Sequence, residues 1–207
     1  EEYDTLREYV DVEEPKENAD SEDTEENQEE TVTVDFEALK KINREIIAWI
    51  RIPDTGIDYP VVQGADNEYY LKHTFKKTEH VAGSIFLDKD NSPDFSNRKS
   101  ILYGHNMKDG SMFQGLHKYE NEQYLEIHNK VYLYLPDGQT LIYSVIKCGY
   151  VSANSDTFWL GEPVETRQLL LSTCGSDSSK RLVLFCELPE ESEESETNGE
   201  GISMEVF

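Results

Sequence analysis

The chain is poor in the features that mark several common protein classes. No apolar run approaches the ~20 residues that a membrane-crossing helix requires. Lysine and arginine number 19 against 43 acidic residues and form no basic stripe, so nucleic acid is excluded as a ligand. There are three cysteines, Cys148, Cys174 and Cys186, with no CxxC pair and no ligand-like spacing to the five histidines. That spacing supports neither a disulfide framework nor a zinc site. No calcium loop of EF-hand type is present, and no cofactor is expected. The acidic start lacks the basic and apolar regions of a signal peptide. Either the protein is cytosolic, or a targeting segment has preceded Glu1.

The charge that is present is unevenly placed. Residues 1–30 hold 15 acidic and 2 basic side chains, and residues 187–207 hold 8 acidic and none basic. The 156 residues between them carry 20 acids and 17 bases and are nearly neutral. Like-charge blocks of this kind stay solvated and extended rather than folding. The predicted organisation is an acidic, largely disordered stalk over 1–34, a domain over 35–188 and an acidic tail over 189–207. Within the stalk, Tyr3, Leu6 and Val10 allow one or two helical turns. About 150 residues suffice for one domain with its own core.

Phe36, Leu39, Ile42, Ile46 and Trp49 recur at helical spacing, which predicts a helix from a cap at Asp35 through Trp49. Pro53 ends it. Short strands are predicted over 57–63, 83–88, 100–105, 130–135, 140–151, 168–174 and 181–188. Pro136-Asp137-Gly138-Gln139 reads as a hairpin turn, and 112–116 and 120–128 as short helices. The fold class is therefore mainly β: a closed or nearly closed barrel of about seven to eight strands, with an N-terminal helix and short peripheral helices.

Chemistry concentrates at the strand ends. Cys174 closes one predicted strand, Arg181 opens the next, and His105 ends another. If the two later strands pair, Cys174 and Arg181 meet at a common edge. A guanidinium there favours thiolate and can hold a developing oxyanion. Histidine titrates near neutrality and can protonate a leaving amine. Lys180 falls on the opposite strand face from Arg181, whose planar fork suits the role better. Each residue alone also has a structural reading: a packed cysteine, a surface histidine, a paired arginine. Cys148 and Cys186 lie inside apolar runs and read as small buried hydrophobes, with a bridge between them left open.

The segments around these residues resemble the sortase family, class B. Those are Tyr103-Gly104-His105-Asn106-Met107-Lys108-Asp109-Gly110-Ser111-Met112-Phe113 and Leu171-Ser172-Thr173-Cys174. Ile57-Asp58-Tyr59-Pro60-Val61-Val62-Gln63-Gly64 and Gly83-Ser84-Ile85-Phe86-Leu87-Asp88 are similar too. The resemblance implies a sortase-type barrel with His105, Cys174 and Arg181 as catalytic residues. It maps the substrate groove onto Asn67, Leu71, Tyr103 and Ser172, which by residue type alone would equally be barrel packing. It further implies a thioester on Cys174, formed from the sorting signal of a secreted protein. That thioester would be resolved by an amine of a peptidoglycan precursor or a pilin lysine. Class B resemblance points away from calcium. Location at the outer face of a Gram-positive cell membrane would follow, through a helix preceding this sequence.

The resemblance has gaps. Class B members usually carry a long, often helical insertion before the cysteine strand, and here only 152–167 intervene. Phe158, Trp159 and Leu160 are the bulky apolar residues of that segment, and they either line a shortened groove or cover the barrel; the second fits slightly better. Two other functions stay open at this level. One is a cysteine peptidase that uses water. The other is a surface-binding module that kept the barrel and lost turnover.

Overall fold

The computed structural model describes residues 3–13, 31–158, 160–161, 164–174 and 179–189, with Cys174 described in its backbone alone. Eight strands close a barrel: β3 (Ile46–Ile52), β4 (Ile57–Val62), β5 (Ile85–Leu87), β6 (Lys99–Tyr103), β7 (Lys130–Tyr134), β8 (Thr140–Ser152), β9 (Arg167–Cys174) and β10 (Lys180–Leu188). Their order around the barrel is β10-β8-β7-β3-β4-β5-β6-β9. The mainly β, closed-barrel expectation holds. Most neighbours are antiparallel, as between β7 and β8, where Leu135 N–H bonds Gln139 O across the Asp137-Gly138 turn. Gly138 takes φ 89° there.

Two neighbour pairs, β4–β5 and β6–β9, are parallel. Parallel neighbours require a crossover, because the chain must return to the starting end of the sheet. The β4–β5 crossover, residues 63–84, becomes one wall of the site described below.

Alternation divides the strands cleanly. Leu169, Leu171, Leu182 and Leu184 fill the barrel, whereas Leu170 and Val183 pack outside it with Ile101. Phe158 and Leu160 lie over that outer cluster. The 152–167 segment thus covers the barrel there, by a short 3-10 helix (Asp156–Phe158). Trp159 lies outside the described residues.

The long N-terminal helix is not formed. Helix α1 (Phe36–Ile42) is capped by Asp35, whose Oδ1 accepts Ala38 N–H at 2.9 Å, and it ends after two turns. Asn43 then turns the chain: its amide donates to Tyr70 Oη and Phe75 O, each at 2.8 Å, while its oxygen accepts Glu45 N–H. Residues 46–52 are strand β3. Both of its faces are covered, Ala48, Ile50 and Ile52 by the barrel interior and Ile46 and Trp49 by Leu39, Tyr70 and Phe75. A strand buried on both sides reads as a continuous apolar run, whose members also match helical spacing. The peripheral helices shift slightly, to a 3-10 helix at Phe113–Glu120 and to α2 (Glu122–Ile127).

Part of the segment assigned to the stalk is ordered. Tyr3–Tyr9 forms a 3-10 helix, and β1 (Val10–Glu13) pairs with β2 (Thr31–Val34). Leu6 is buried, and Tyr3 packs edge-on to Tyr59 with ring centres 5.6 Å apart. The expected disorder of 14–30, and the tail beyond residue 189, lie outside the described residues. Among the described residues no helix is long and apolar enough to cross a membrane. Cys148 and Cys186 are free thiols, so no bridge joins them.

Candidate active site

Three neighbouring strands, β6, β9 and β10, carry the chemistry-bearing positions to one end of the barrel. β6 and β9 run parallel, with Tyr103 opposite Ser172. The ladder continues one step further, through Gly104 N–H to Ser172 O at 3.1 Å. His105 and Cys174 each lie two residues beyond that matched pair, so their backbones emerge side by side at the same level. β6 itself stops at Tyr103, and His105 stands just past its end rather than within it. On the other side of β9, Cys174 and Arg181 are direct antiparallel partners, as the short connection between them predicts. Arg181 is also paired across to Val151 of β8.

The turn after β6 is fixed by close packing. A Cβ on Gly104 would lie 2.6 Å from Ile85 Cδ1 and 2.7 Å from Phe113 Cδ2, so only glycine lets β6 pass these side chains. Phe113 N–H returns to His105 O at 2.9 Å. The imidazole Nε2 of His105 lies 2.7 Å from Leu71 O. A carbonyl can only accept, so Nε2 carries the proton and Nδ1 is the nitrogen left to exchange one. The Arg181 guanidinium donates through Nη1 to Lys180 O at 3.3 Å.

One cleft of about 280 Å³ gathers the predicted residues. His105 and Arg181 line it, and so do all four predicted groove residues, Asn67, Leu71, Tyr103 and Ser172. Asn67 and Leu71 come from the β4–β5 crossover, Tyr103 from β6 and Ser172 from β9. The side chain of Cys174 is outside the described atoms; its backbone follows Thr173, which also lines the cleft. Phe158 adds an aromatic edge, with its ring centre 6.4 Å from that of Tyr103. The apolar segment before β9 therefore both covers the barrel and borders the cleft.

The polar groups of the cleft divide into satisfied and unsatisfied sets. Tyr103 Oη and Asn67 Nδ2 both donate to Asp88 Oδ2, each at 2.9 Å. Burial, and then the Asp88 charge, push the Tyr103 phenol well above its ordinary pKa, so it stays neutral. By contrast, Ser172 Oγ and Thr173 Oγ1 are each on residues only 2% exposed and have no hydrogen-bond partner among the described residues. Buried hydroxyls in this state are costly unless something else reaches them; Ser172 shares the outer face of β9 with Leu170, and Thr173 the barrel face with Leu171, so the Ser172 hydroxyl is the one placed toward a ligand in the cleft. Asp88 and Thr173 were not singled out as site residues from sequence, and Phe158 was weighed only between lining a shortened groove and covering the barrel. An aspartate ending a strand signals only a turn, and a threonine inside an apolar strand signals only packing. Among the described residues no cluster of three or more histidine, cysteine or carboxylate groups is placed to hold a metal.

The sequence and the fold have counterparts among known proteins. The sortase domain model matches residues 50–189. The chain is 49% identical over 90 residues to sortase B of Listeria monocytogenes, a match covering 44% of this chain and 37% of that relative's length. The structure superposes on sortase B from Bacillus anthracis in complex with AAEK1 with a TM-score of 0.68 and 31% identity, covering 91% of this chain and 93% of the other. The Staphylococcus aureus sortase B–substrate complex gives a TM-score of 0.65 at 27% identity, covering 76% and 86%. Barrel, strand order and sequence match together leave one assignment: the chain belongs to the sortase family, and its relatives are of class B.

Proposed function

We propose that the chain is a cysteine transpeptidase of class B type, acting on the sorting signal of a secreted protein. The observation that carries this reading is the register of three adjacent strands. Cys174 is the direct partner of Arg181, and it leaves β9 level with the point where His105 leaves β6, beside a cleft lined by Ser172, whose buried hydroxyl has no partner among the described residues. The Staphylococcus aureus sortase B-substrate complex, on which this chain superposes, supports a substrate-binding role.

In this mechanism the Cys174 thiolate adds to the carbonyl carbon of a threonyl residue, and the oxygen takes the negative charge. Arg181 stabilises that oxyanion. The C–N bond breaks as His105 gives a proton to the departing amine, leaving an acyl-thioester on Cys174. An incoming amine, from a peptidoglycan precursor or a pilin lysine, then attacks the thioester. It returns its proton to His105 as the thiolate departs. The Leu71 carbonyl holds the ring through Nε2, so Nδ1 is the atom that gives and takes the proton. Asn67, Leu71, Tyr103 and Ser172 line the groove for the sorting signal. Anchoring at the outer membrane face, through a segment preceding this sequence, fits a substrate that arrives by secretion.

The test is intact-mass spectrometry of the protein mixed with quenched fluorescent peptides that carry threonine before the scissile bond. A covalent adduct of the N-terminal fragment should appear and should be discharged by triglycine. Cys174→Ala should give no adduct while keeping the wild-type circular dichroism spectrum. Full transfer to triglycine by that variant would refute the proposal, and discharge at the same rate without any amine would favour a peptidase.

A further inference from the structure

Asp88, at the end of β5, is a buried carboxylate that the mechanism above does not use. It is 7% exposed, and its Oδ2 receives hydrogen bonds from two residues of the cleft wall, Asn67 and Tyr103. Its Oδ1 accepts Asp90 N–H at 3.0 Å. The nearby Lys89 ammonium is engaged by the Asp90 carboxylate at 2.7 and 2.8 Å. The backbone of Asp88 is fixed as well, through its N–H to Ile101 O and through its carbonyl, which accepts the Gln63 amide at 2.9 Å. The carboxylate is therefore held still, and only neutral donors from the cleft wall meet Oδ2.

An ionised carboxylate can only accept. The Tyr103 proton must therefore point at Asp88, which turns the phenol oxygen into an acceptor toward the cleft. Asn67 is constrained from both ends: Lys89 N–H, at 2.8 Å, requires its oxygen, and Asp88 requires its nitrogen. Its amide cannot flip, and its second N–H remains a donor. One acceptor and one donor, each 2.9 Å from the same carboxylate oxygen, complement the N–H and C=O of one extended peptide residue, which point to the same side of the chain.

We infer that Asp88 is a positioning residue for substrate selection. Its carboxylate sets the hydrogen-bond polarity of Tyr103 and Asn67, so that the cleft wall selects one extended residue of the peptide, its N–H on Tyr103 and its C=O on Asn67. This rests on the transpeptidase reading above. Asp88 touches no reacting atom in this scheme. It acts through its two neighbours, so its loss alters which peptides react more than how fast the thiol reacts.

The experiment profiles a quenched peptide library in which each backbone N–H is replaced in turn by N-methyl, with threonine fixed before the scissile bond and triglycine as acceptor, on wild type and four variants. Asp88→Ala releases both neighbours and should relax discrimination at one library position by about tenfold, the scale of one or two hydrogen bonds. Asp88→Asn can keep its single oxygen on Tyr103 and Asn67 while its amide faces Asp90. It should therefore retain the wild-type profile at reduced thermal stability. Tyr103→Phe should relax the same position, and adding Asp88→Ala to it should change the profile little further. A wild-type profile in Asp88→Ala, with only a lower overall rate, overturns the inference. So does an equal change of profile in Asp88→Asn and Asp88→Ala. Should Asp88→Ala fail to fold, Tyr103→Phe carries the same decision alone, an unchanged profile overturning it. A wild-type protein inert toward every library member overturns the transpeptidase reading, and this inference with it.

Discussion

The His105 imidazole hydrogen-bonds the backbone carbonyl of Leu71, 34 residues earlier in the chain, so the ring takes its orientation from the crossover that walls the cleft. That crossover is held in place at Gly83. Its φ is +56°, and a Cβ there would lie 2.5 Å from Tyr70 O and 2.8 Å from Leu71 O. Both neighbours are backbone, so neither can turn aside.

Gly83→Ala must therefore displace either the 83–84 backbone or the Tyr70–Leu71 carbonyls. Strain at positive φ together with a backbone clash should cost on the order of 1–3 kcal/mol in stability. The same displacement moves the acceptor that orients His105. Acylation should fall by about tenfold or more even at temperatures where the variant is fully folded. Thermal melting and single-turnover acylation check the two effects separately. A variant that melts lower yet acylates at the wild-type rate would show that the Leu71 carbonyl does not orient the ring.

Arg181 tests the oxyanion assignment. Lysine keeps the charge but loses the planar fork that can serve an oxyanion and a carbonyl together. Arg181→Lys should lower kcat by about 10²-fold, the usual loss for one oxyanion donor, with KM within about threefold. Arg181 is half-buried at the start of β10, so the melting temperature should barely move. A kcat within threefold of wild type would remove Arg181 from the proposed mechanism.

How much of this was legible beforehand depends on the distance over which a residue finds its partner. Cys174 and Arg181 are joined by a short connection, so strand alternation and hairpin pairing suffice to set them opposite each other. His105 was placed at a strand end by the apolar run before it. That β6 and β9 are parallel neighbours is not written in any local pattern, because more than 60 residues, with three short helices and two strands, separate them. Strand β3 was mistaken for the second half of a helix, since burial on both faces erased the alternation that marks a strand. Asp88 was invisible for a different reason: its partners Asn67 and Tyr103 lie 21 and 15 residues away, on other elements. The groove positions were legible only by resemblance, because leucine, tyrosine and serine in a barrel carry no chemical signal of their own.

The cysteines allow a clean labelling test. Burial pushes the Cys148 thiol up to about 11, with a smaller push from Glu120, and burial drives that of fully buried Cys186 upward as well. Both should be inert to iodoacetamide at pH 7.5, and labelling should reach one equivalent per chain, at Cys174. Cys174→Ala should then take up none. Raising the pH should recruit Cys148, about tenfold per unit toward its folded-state value. The sign for stability is the same: a raised thiol pKa favours the folded state below the unfolded value near 8.5. That contribution is lost as pH climbs from there through about 11. Peptide mapping after labelling identifies the site. Modification of Cys148 at neutral pH would contradict the burial that the fold assigns to it.

Phe158 tests whether the short connection between β8 and β9 serves the cleft or only the barrel surface. Its ring lies at the cleft edge near Tyr103, and with Leu160 it packs against Ile101, Leu170 and Val183. The side chain is half-buried, so removing it should cost less than the ~3–5 kcal/mol of a core phenylalanine. Phe158→Ala should raise KM for the peptide about tenfold while leaving kcat within about threefold, because the ring touches bound peptide rather than reacting atoms. Leu160→Ala removes a comparable apolar contact from the same outer cluster but does not line the cleft, and should lower stability without changing KM. Equal KM effects from the two variants would mean that both act by loosening the 152–167 segment. The cleft would then owe its shape to the segment's packing rather than to an aromatic contact with substrate.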